Sequence, residues 1–135
     1  MKSFALKIVT PDGLQFDGDA EELIVRATSG DIGILAGHID CVMSLGMGEA
    51  QIVSDGQKRY GACIGGMLSV VRGEVTLVPT TFEWAEDIDL KRATVSEDRA
   101  RSILSNKTST DTDIVLAEAR LKRALVRKGV AGRKN

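Results

Sequence analysis

Hydrophobic and polar residues follow two different periods along this chain. In the first part they alternate over short runs, as in FALKIV at residues 4–9 and MLSVV at residues 67–71. Alternation is typical of a β-strand with one buried face. From Ile88 onward, apolar residues recur every three or four positions, which is typical of amphipathic helices. We therefore predict a strand-rich module over residues 1–87 and a helical module over residues 88–135.

Turn-forming dipeptides separate the predicted strands. Asp-Gly occurs at residues 12–13 and 55–56, and Arg-Gly occurs at residues 72–73, each between two strand-like runs. These dipeptides favour tight hairpins because glycine adopts positive φ without steric cost. Several short strands at this spacing indicate an antiparallel sandwich or a barrel, and the pattern alone does not distinguish the two.

A polar segment at residues 105–110 separates two predicted helices. Asp87 or Asp89 is expected to cap the first helix, and Asp111 or Asp113 the second, because a carboxylate accepts the free N–H groups of a first turn. Two helices joined by so short a loop form an antiparallel hairpin.

The predicted inner faces of these helices are rich in small residues. At about 100° per residue, the apolar positions of each helix fall on one side. A pair that buries so little apolar area is marginal by itself and needs support from the sheet, a ligand or another chain. The residues assigned to these faces are Ala93, Ala100 and Leu104 on the first helix and Ile114, Ala117, Leu121 and Leu125 on the second.

The charge of the chain changes sign where the period changes. Residues 1–87 contain 6 Lys/Arg and 13 Asp/Glu, whereas residues 88–135 contain 12 and 6. This asymmetry indicates two modules with different partners. No apolar run approaches the roughly 18–20 residues of a membrane helix, so direct membrane insertion is not expected. The isolated Cys41 and Cys63 fit buried free thiols in a reducing compartment, and the start of the chain lacks a secretory pattern, which together predict a cytoplasmic protein.

Four arginines on the predicted helices form a candidate anion site. Arg92 and Arg99 lie one heptad apart, and Arg123 and Arg127 lie one turn apart. If these stripes meet, their mutual repulsion requires a polyanion, and guanidinium groups suit phosphate oxygens. The alternative is a solvated basic face, which the charge pattern alone favours.

Other chemistries find little support in the sequence. Neither a phosphate-binding glycine loop nor a dinucleotide fingerprint is present, and no carboxylate cluster suggests a metal site. The single histidine, His38, reads as a loop contact residue more readily than as a ligand or base. Aromatic residues make up 4% of the chain and none lies among the basic helices, which argues against nucleic-acid binding. We therefore assign no catalytic residue and no metal ligand.

Three segments resemble the epsilon subunit of bacterial F-type ATP synthases. Residues 29–38 (SGDIGILAGH) are similar to that family's loop ending in Gly-His, and residues 65–70 (GGMLSV) to its Gly-Gly strand. Residues 88–93 (IDLKRA) are similar to the Ile/Leu-Asp-x-x-Arg-Ala signature of its ATP-binding members. In this order and spacing, the segments extend the resemblance over essentially the whole chain.

The resemblance implies an α+β fold with an N-terminal antiparallel β-sandwich of about ten strands and a C-terminal two-helix antiparallel hairpin. It also implies a non-catalytic subunit of the central rotor stalk, located through that complex at the cytoplasmic face of the bacterial cell membrane. One face of the sandwich would bind the gamma subunit. The loop that contains Asp31 and His38 would contact the c-ring.

The resemblance further implies regulation by the helical hairpin. The helices would either fold on the sandwich or extend into the ring of α/β catalytic subunits, where they block ATP hydrolysis. ATP, as a regulatory ligand between the folded helices, would favour the folded state. The ATP-binding residues implied are Glu83, Ile88, Asp89, Arg92, Arg99, Arg123 and Arg127.

Two alternatives of other classes stay open at this point. One is a stand-alone nucleotide-sensing module that binds no rotor, for which co-purification with a gamma subunit is the discriminating observation. The other is a small Cys/His enzyme, which requires a thiol of depressed pKa at Cys41 or Cys63.

Overall fold

The computed structural model describes residues 2–133, and this part of the chain contains ten strands, a short 3-10 helix and two α-helices. The chain divides into two compact units, Met1–Trp84 and Ala85–Asn135. The strands are β1 (Phe4–Thr10), β2 (Gly13–Ala20), β3 (Glu22–Ala27), β4 (Gly30–Ile34), β5 (Cys41–Ser44), β6 (Met47–Ser54), β7 (Gln57–Ile64), β8 (Met67–Val71), β9 (Glu74–Val78) and β10 (Thr81–Trp84). The 3-10 helix is Ala85–Asp87, and the α-helices are α1 (Leu90–Ser105) and α2 (Asp111–Ala131).

The strands form two five-stranded sheets, in the orders β2-β1-β9-β8-β5 and β10-β7-β6-β3-β4. Their inner faces supply one common core, which confirms the sandwich of about ten strands. One pairing departs from the predicted antiparallel arrangement, because β1 and β9 run parallel. The largest fully buried core side chains include Leu6, Ile8, Leu68 and Leu77 from the first sheet and Leu23, Ile34 and Ile52 from the second.

Two of the predicted turns have the geometry that twisted hairpins require. Asp55 and Gly56 have φ of 52° and 74°, and Arg72 and Gly73 have φ of 51° and 81°. Positive φ at both central residues defines the type I′ turn, whose twist matches that of the flanking strands. These turns join β6 to β7 and β8 to β9.

The Gly-Gly pair before β8 is fixed by a close backbone approach. Gly66 has a φ of +99°, and a Cβ at this position would collide with the carbonyl oxygen of Val78. Only glycine combines this conformation with this contact. The close approach of the backbone at Val78 therefore explains why glycine is required at Gly66, in the segment that resembles the family's Gly-Gly strand.

The helix caps match the prediction at α1 and correct it at α2. Asp89 is the N-cap of α1, and its Oδ1 accepts a hydrogen bond from the backbone N–H of Arg92 at 3.1 Å. At α2 the N-cap is Thr110, and Asp113 closes a reciprocal capping box with it, while Asp111 is the first helical residue. Thr110 directly precedes Asp111, and its hydroxyl accepts the hydrogen bond from the backbone N–H of Asp113.

The inner face of α2 also differs from the predicted one. Leu125 was expected to be buried but is 44% exposed, whereas Ala124 beside it is 1% exposed. Ala124 lies one heptad after the buried Ala117, so the two alanines share a side of the helix. A small residue at this position lets the other helix approach closely. Cys41 likewise differs from the predicted buried thiol, because it is only partly buried.

Candidate functional site

Alanines line the seam between the two helices. Ala93 and Ala100 on α1 and Ala117 and Ala124 on α2 are all buried. Each pair is spaced by seven residues, so it lies on one side of its helix. Because alanine carries one methyl group, the helices pack closely but bury little apolar area.

A carboxylate beside this seam binds one cation from each helix. Glu97 Oε1 accepts a hydrogen bond from Lys128 Nζ at 2.6 Å, and its Oε2 accepts one from Arg101 Nε at 2.9 Å. These contacts hold the pKa of Glu97 below its ordinary value, with the bond from Lys128 contributing most and that from Arg101 next. The contact between Glu97 and Lys128 joins α1 to α2 and fixes which residues of the two helices lie at the same level.

This contact defines two edges of the hairpin. Glu97 follows Ala93 by four positions, and Lys128 follows Ala124 by four. Glu97 and Lys128 are in contact, so a residue four positions after a seam alanine lies on the same edge of the hairpin in both helices. At about 100° per residue, a position directly before a seam alanine falls on the opposite edge.

The predicted arginines share that opposite edge, which we call the arginine edge. Arg92, Arg99 and Arg123 directly precede the seam residues Ala93, Ala100 and Ala124, and Arg127 is one turn after Arg123. Arg99 is within about one helical turn of the level of Arg123 and Arg127, whereas Arg92 is roughly 10 Å further along α1. Arg92 and Arg99 are exposed, and Arg123 and Arg127 are partly buried.

Three of these arginines carry an uncompensated charge. Within residues 2–133, the guanidinium groups of Arg92, Arg99 and Arg123 have no carboxylate partner. Their positive charges therefore remain available to an anion. The acid of the hairpin seam, Glu97, pairs with Arg101 and Lys128 on the other edge of the hairpin.

The remaining residues of the predicted ATP site are in different structural settings. Asp89 is committed to capping α1, and Ile88 just before it is buried, with 3% exposure. Glu83 lies on β10, in the sandwich unit, and is partly buried. The structure thus collects the arginines on one edge of the hairpin, whereas the role of Glu83, Ile88 and Asp89 toward a nucleotide stays a prediction.

The two residues predicted to contact a c-ring lie in and after β4. Asp31 faces Arg26 across β3 and β4, and its Oδ1 is 2.6 Å from Arg26 Nε. The hydrogen bond from Arg26 lowers the pKa of this exposed carboxyl. His38 ends a tight turn, in which its N–H donates to the carbonyl of Leu35 at 3.2 Å and Gly37 has a φ of +86°. The turn displays its apolar neighbour Ile39, which is 77% exposed.

The outer face of the first sheet carries an apolar patch. Val42 on β5, Met67 and Val71 on β8, and Val78 on β9 are between 44% and 65% exposed. Met67 is directly opposite Val78 in the strand register, and Val42 is opposite Ser69, which lies between Met67 and Val71 on the same face of β8. We call this set the sheet patch. A contiguous exposed patch of this kind is typical of a protein-binding surface.

The cysteines do not support the thiol-enzyme alternative. Burial raises the pKa of the Cys63 thiol to about 12, which leaves almost no thiolate at neutral pH. Cys41 Sγ lies 3.9 Å from His38 Nδ1, but that nitrogen is also 2.9 Å from the carbonyl of Ile39, to which it must donate. Within residues 2–133, no group of three or more His, Cys, Asp or Glu side chains is arranged to hold a metal ion.

Three features of this unit were missed by the predictions from sequence. The pattern Thr110-x-x-Asp113 is a capping-box signature, so the true cap of α2 was readable from the sequence. The spacing of Glu97 and Arg101 also indicates an i, i+4 ion pair. Nothing local signals the contact of Glu97 with Lys128, because the two residues are 31 positions apart and meet only when the helices pack.

Comparison with known proteins identifies the family. Residues 3–85 match the family described as ATP synthase, Delta/Epsilon chain, beta-sandwich domain. Residues 86–132 match the companion family described as ATP synthase, Delta/Epsilon chain, long alpha-helix domain. The chain belongs to the ATP synthase delta/epsilon chain family. This confirms the resemblance and, with it, the expected non-catalytic subunit of an ATP synthase.

Curated relatives in this family match over nearly their whole length. The ATP synthase epsilon chain of Bacillus velezensis is 47% identical, over 98% of this chain and 99% of the relative. That of Bacillus subtilis is 46% identical, over 98% and 100%. That of Ruminococcus albus is 42% identical, over 99% and 100%. Both units of the structure are therefore shared with these epsilon chains.

Solved structures agree on the fold. A chain in the mitochondrial ATP synthase of Euglena gracilis, solved with OSCP, F1 and c-ring, matches with a TM-score of 0.84 at 20% identity, over 96% of this chain and 81% of that chain. A chain in the central stalk and c-ring of the Tetrahymena thermophila enzyme matches with a TM-score of 0.61 at 12% identity, over 95% and 96%. At these identities the likeness concerns the fold alone. Among the described residues, no helix combines the length and apolar character needed to cross a membrane.

Proposed function

We propose that this chain is the epsilon subunit of a bacterial F-type ATP synthase, in which it couples the gamma subunit to the c-ring and restrains ATP hydrolysis. In this proposal the helical hairpin is the regulatory element and ATP is its ligand. The observation that carries the ATP-sensing part is the arginine edge, where Arg92, Arg99 and Arg123 have no carboxylate partner in residues 2–133.

The arginine edge suits a polyphosphate because its charges come from both helices. Arg92 and Arg99 belong to α1, and Arg123 and Arg127 belong to α2. A phosphate chain that bridges these groups neutralises their mutual repulsion and forms charge-assisted hydrogen bonds. Opening the hairpin separates the two sets, so the ligand binds the closed state more tightly. That difference in affinity lets ATP shift the equilibrium toward the closed state.

The hairpin has the marginal stability that such a switch requires. Its seam consists largely of alanines, and its outer surface leaves Val95 and Val115 more than half exposed. An extended hairpin would offer its basic surface to acidic surfaces of the α/β catalytic subunits, and this contact would block rotation in the hydrolysis direction.

The sandwich is the proposed rotor-binding unit. The sheet patch of Val42, Met67, Val71 and Val78 is the face proposed for the gamma subunit. Asp31, paired with Arg26, and His38, in its tight turn, are the proposed contacts of the c-ring. These contacts would place the chain at the cytoplasmic face of the bacterial cell membrane without inserting into it.

Calorimetric titration of the full chain with ATP and ADP tests the sensing part. Loss of one arginine from the phosphate site removes a charge-assisted bond, so Arg92→Ala is expected to weaken ATP binding roughly 10- to 100-fold. Lys91→Ala is the matched control, because this exposed cation adjoins Arg92 but lies on the outer side of α1. Lys122→Ala serves the same purpose for Arg123→Ala. If each control weakens binding as much as its partner, only diffuse charge attracts the nucleotide.

Co-purification with the gamma subunit tests the rotor part and separates it from the stand-alone nucleotide sensor. Val42→Asp places a charge in the sheet patch and is expected to abolish the complex. Leu14→Asp, at the other edge of the same sheet and 57% exposed, is expected to leave it intact. Absence of a complex for the unaltered chain contradicts the rotor proposal. No ATP binding up to millimolar concentration leaves the rotor role standing and reduces the arginine edge to a docking surface.

A further inference from the structure

On the edge opposite the arginine edge, the carboxylate of Glu97 forms ion pairs with a cation from each helix. Glu97 Oε1 lies 2.6 Å from Lys128 Nζ of α2, and Glu97 Oε2 lies 2.9 Å from Arg101 Nε of α1. The Glu97 side chain is 12% exposed, whereas those of Lys128 and Arg101 are 34% and 56% exposed. The shielded partner of the cluster is therefore the acid.

We propose that Glu97 is a latch, which holds the hairpin closed through Lys128 and keeps Arg99 level with Arg123 and Arg127. Glu97 is a positioning residue in this scheme, since it lies on the edge away from the arginines and touches no ligand. The inference rests on the proposed function in one respect only, that the hairpin opens.

The position of the latch follows from the charges on the arginine edge. Closure brings like charges of α1 and α2 together there, and their repulsion opposes closure. An acid placed among those arginines would offset the repulsion but would compete with phosphate for them. An acid on the opposite edge holds the helices together and leaves the arginines available.

The second partner gives the latch two states. When the helices separate, Lys128 moves away with α2, but Arg101 stays one turn from Glu97 on α1. The carboxylate therefore keeps a charged hydrogen bond in the open hairpin, which lowers the cost of opening. The two cations thus have different effects on the equilibrium. Lys128 favours the closed state alone, whereas Arg101 stabilises the acid in both states.

Distances between spin labels on the two helices measure this equilibrium directly. Val95→Cys and Gly129→Cys place labels at about the same level on the outer surfaces of α1 and α2. Val95 is 55% exposed, and a Cβ at Gly129 meets nothing within 4 Å. Cys41→Ser removes the partly buried thiol, and the buried Cys63 does not label readily because its pKa is about 12. The distance distribution is recorded on the full chain without nucleotide.

The expected result is a loss of the closed population when the interhelical pair is cut. Glu97→Gln and Lys128→Met should each lower the closed-to-open ratio roughly 2- to 5-fold, the range for a solvent-accessible ion pair. Lys128→Arg, which keeps the charge, should restore the ratio. Arg101→Ala should leave the ratio unchanged or raise it.

Three outcomes would overturn the latch. One is a distribution that is the same in the unaltered chain, Glu97→Gln and Lys128→Met. Another is an Arg101→Ala variant that opens as far as Lys128→Met, since Glu97 would then only stabilise α1. The third is an unaltered chain with no closed population. A chain that fails to bind ATP does not affect this measurement, because no nucleotide is present, so the sensing proposal and the latch can fail separately.

Discussion

The sandwich and the helical hairpin bury different kinds of side chain. The sandwich core holds large aliphatic residues such as Leu6, Ile8, Leu68 and Leu77, each no more than 1% exposed. The hairpin seam is built around Ala93, Ala100, Ala117 and Ala124. Burial of a leucine or isoleucine side chain stabilises a fold by about 1.5–3 kcal/mol, and burial of an alanine methyl group by much less. The two units therefore differ in how much buried apolar surface stabilises each of them.

The ion pairs of the two units also differ in how much backbone structure supports them. In the sandwich, Arg26 and Asp31 face each other across a strand pair whose register is fixed by backbone hydrogen bonds. In the hairpin, Glu97 and Lys128 join helices that share no backbone ladder. The Arg26–Asp31 pair therefore adds to a strand pairing that backbone hydrogen bonds already hold, whereas the Glu97–Lys128 pair is a direct polar link between the two helices. Regions that move are drawn from the least stable part of a structure.

The largest expected effect of a single substitution is in the sandwich core. Leu77→Ala removes a fully buried side chain and leaves a cavity, so it should lower the free energy of unfolding of the sandwich by about 2–5 kcal/mol. Trp84 provides the probe, because it is buried and its ring contacts Phe82, with centroids 4.9 Å apart, and Arg59, whose guanidinium carbon lies 3.7 Å from the ring centroid. Denaturant unfolding followed by its fluorescence measures the loss. A change below about 1 kcal/mol would show that the core relaxes around the cavity.

A smaller effect is expected when the seam is overfilled. Ala100→Leu forces the helices apart and should cost about 1–3 kcal/mol of hairpin closure. The midpoint of the Trp84 transition should not move, because the substitution lies outside the sandwich unit. Val115→Leu, at an exposed site of α2, is the control and should change neither signal. Helical circular dichroism and the interhelical spin-label distance report on the hairpin. A fall in the Trp84 midpoint equal to the loss of closure would mean that the two units unfold together.

The smallest expected effect is on the titration of two carboxyls. Hydrogen bonds lower the pKa of Glu97 in the hairpin and of Asp31 in the sandwich. A depressed native pKa stabilises the native state above the unfolded value, and this contribution is lost as the pH falls through the native value. Closure of the hairpin should therefore weaken as the pH falls through the lowered pKa of Glu97, where this carboxylate takes up a proton. Carbon-13 NMR titration measures both groups.

The variant Lys128→Met separates the two titrations. It should raise the pKa of Glu97 toward its ordinary value and leave that of Asp31 unchanged, because Asp31 pairs with Arg26 inside the sandwich. A Glu97 that titrates at its ordinary value in the unaltered chain would show that the pair with Lys128 is rarely formed.

Local patterns were sufficient for much of the fold. The dipeptides at residues 55–56 and 72–73 predicted hairpins that are present with positive φ at both positions. Asp89 was one of two predicted caps of α1 and is the observed one. The spacing of Arg92 with Arg99 and of Arg123 with Arg127 was sufficient to predict that each pair shares one side of its helix. These features depend on a few neighbouring residues, so the sequence contains what is needed to infer them.

Features that join distant parts of the chain were not accessible in this way. The parallel pairing of β1 with β9 and the contact of Glu97 with Lys128 depend on how whole elements pack. The choice of Ala124 over Leu125 for the seam also followed from packing, because a small side chain allows the closer approach. In each case the deciding interaction lies outside the local window that a periodic pattern describes.

The sequence by itself determined the kinds of elements, the turns between the strands and the family. The elements and turns follow from side-chain size, charge and backbone preference over short stretches, and the family follows from the resemblance of three segments to known epsilon subunits. Only the tertiary structure decided the strand order, the parallel pair and the division of the hairpin into an arginine edge and an opposite edge that carries the Glu97–Lys128 ion pair. The reason is physical: the offset of Arg99 or Glu97 from the seam has meaning only once the facing helix fixes where the seam lies.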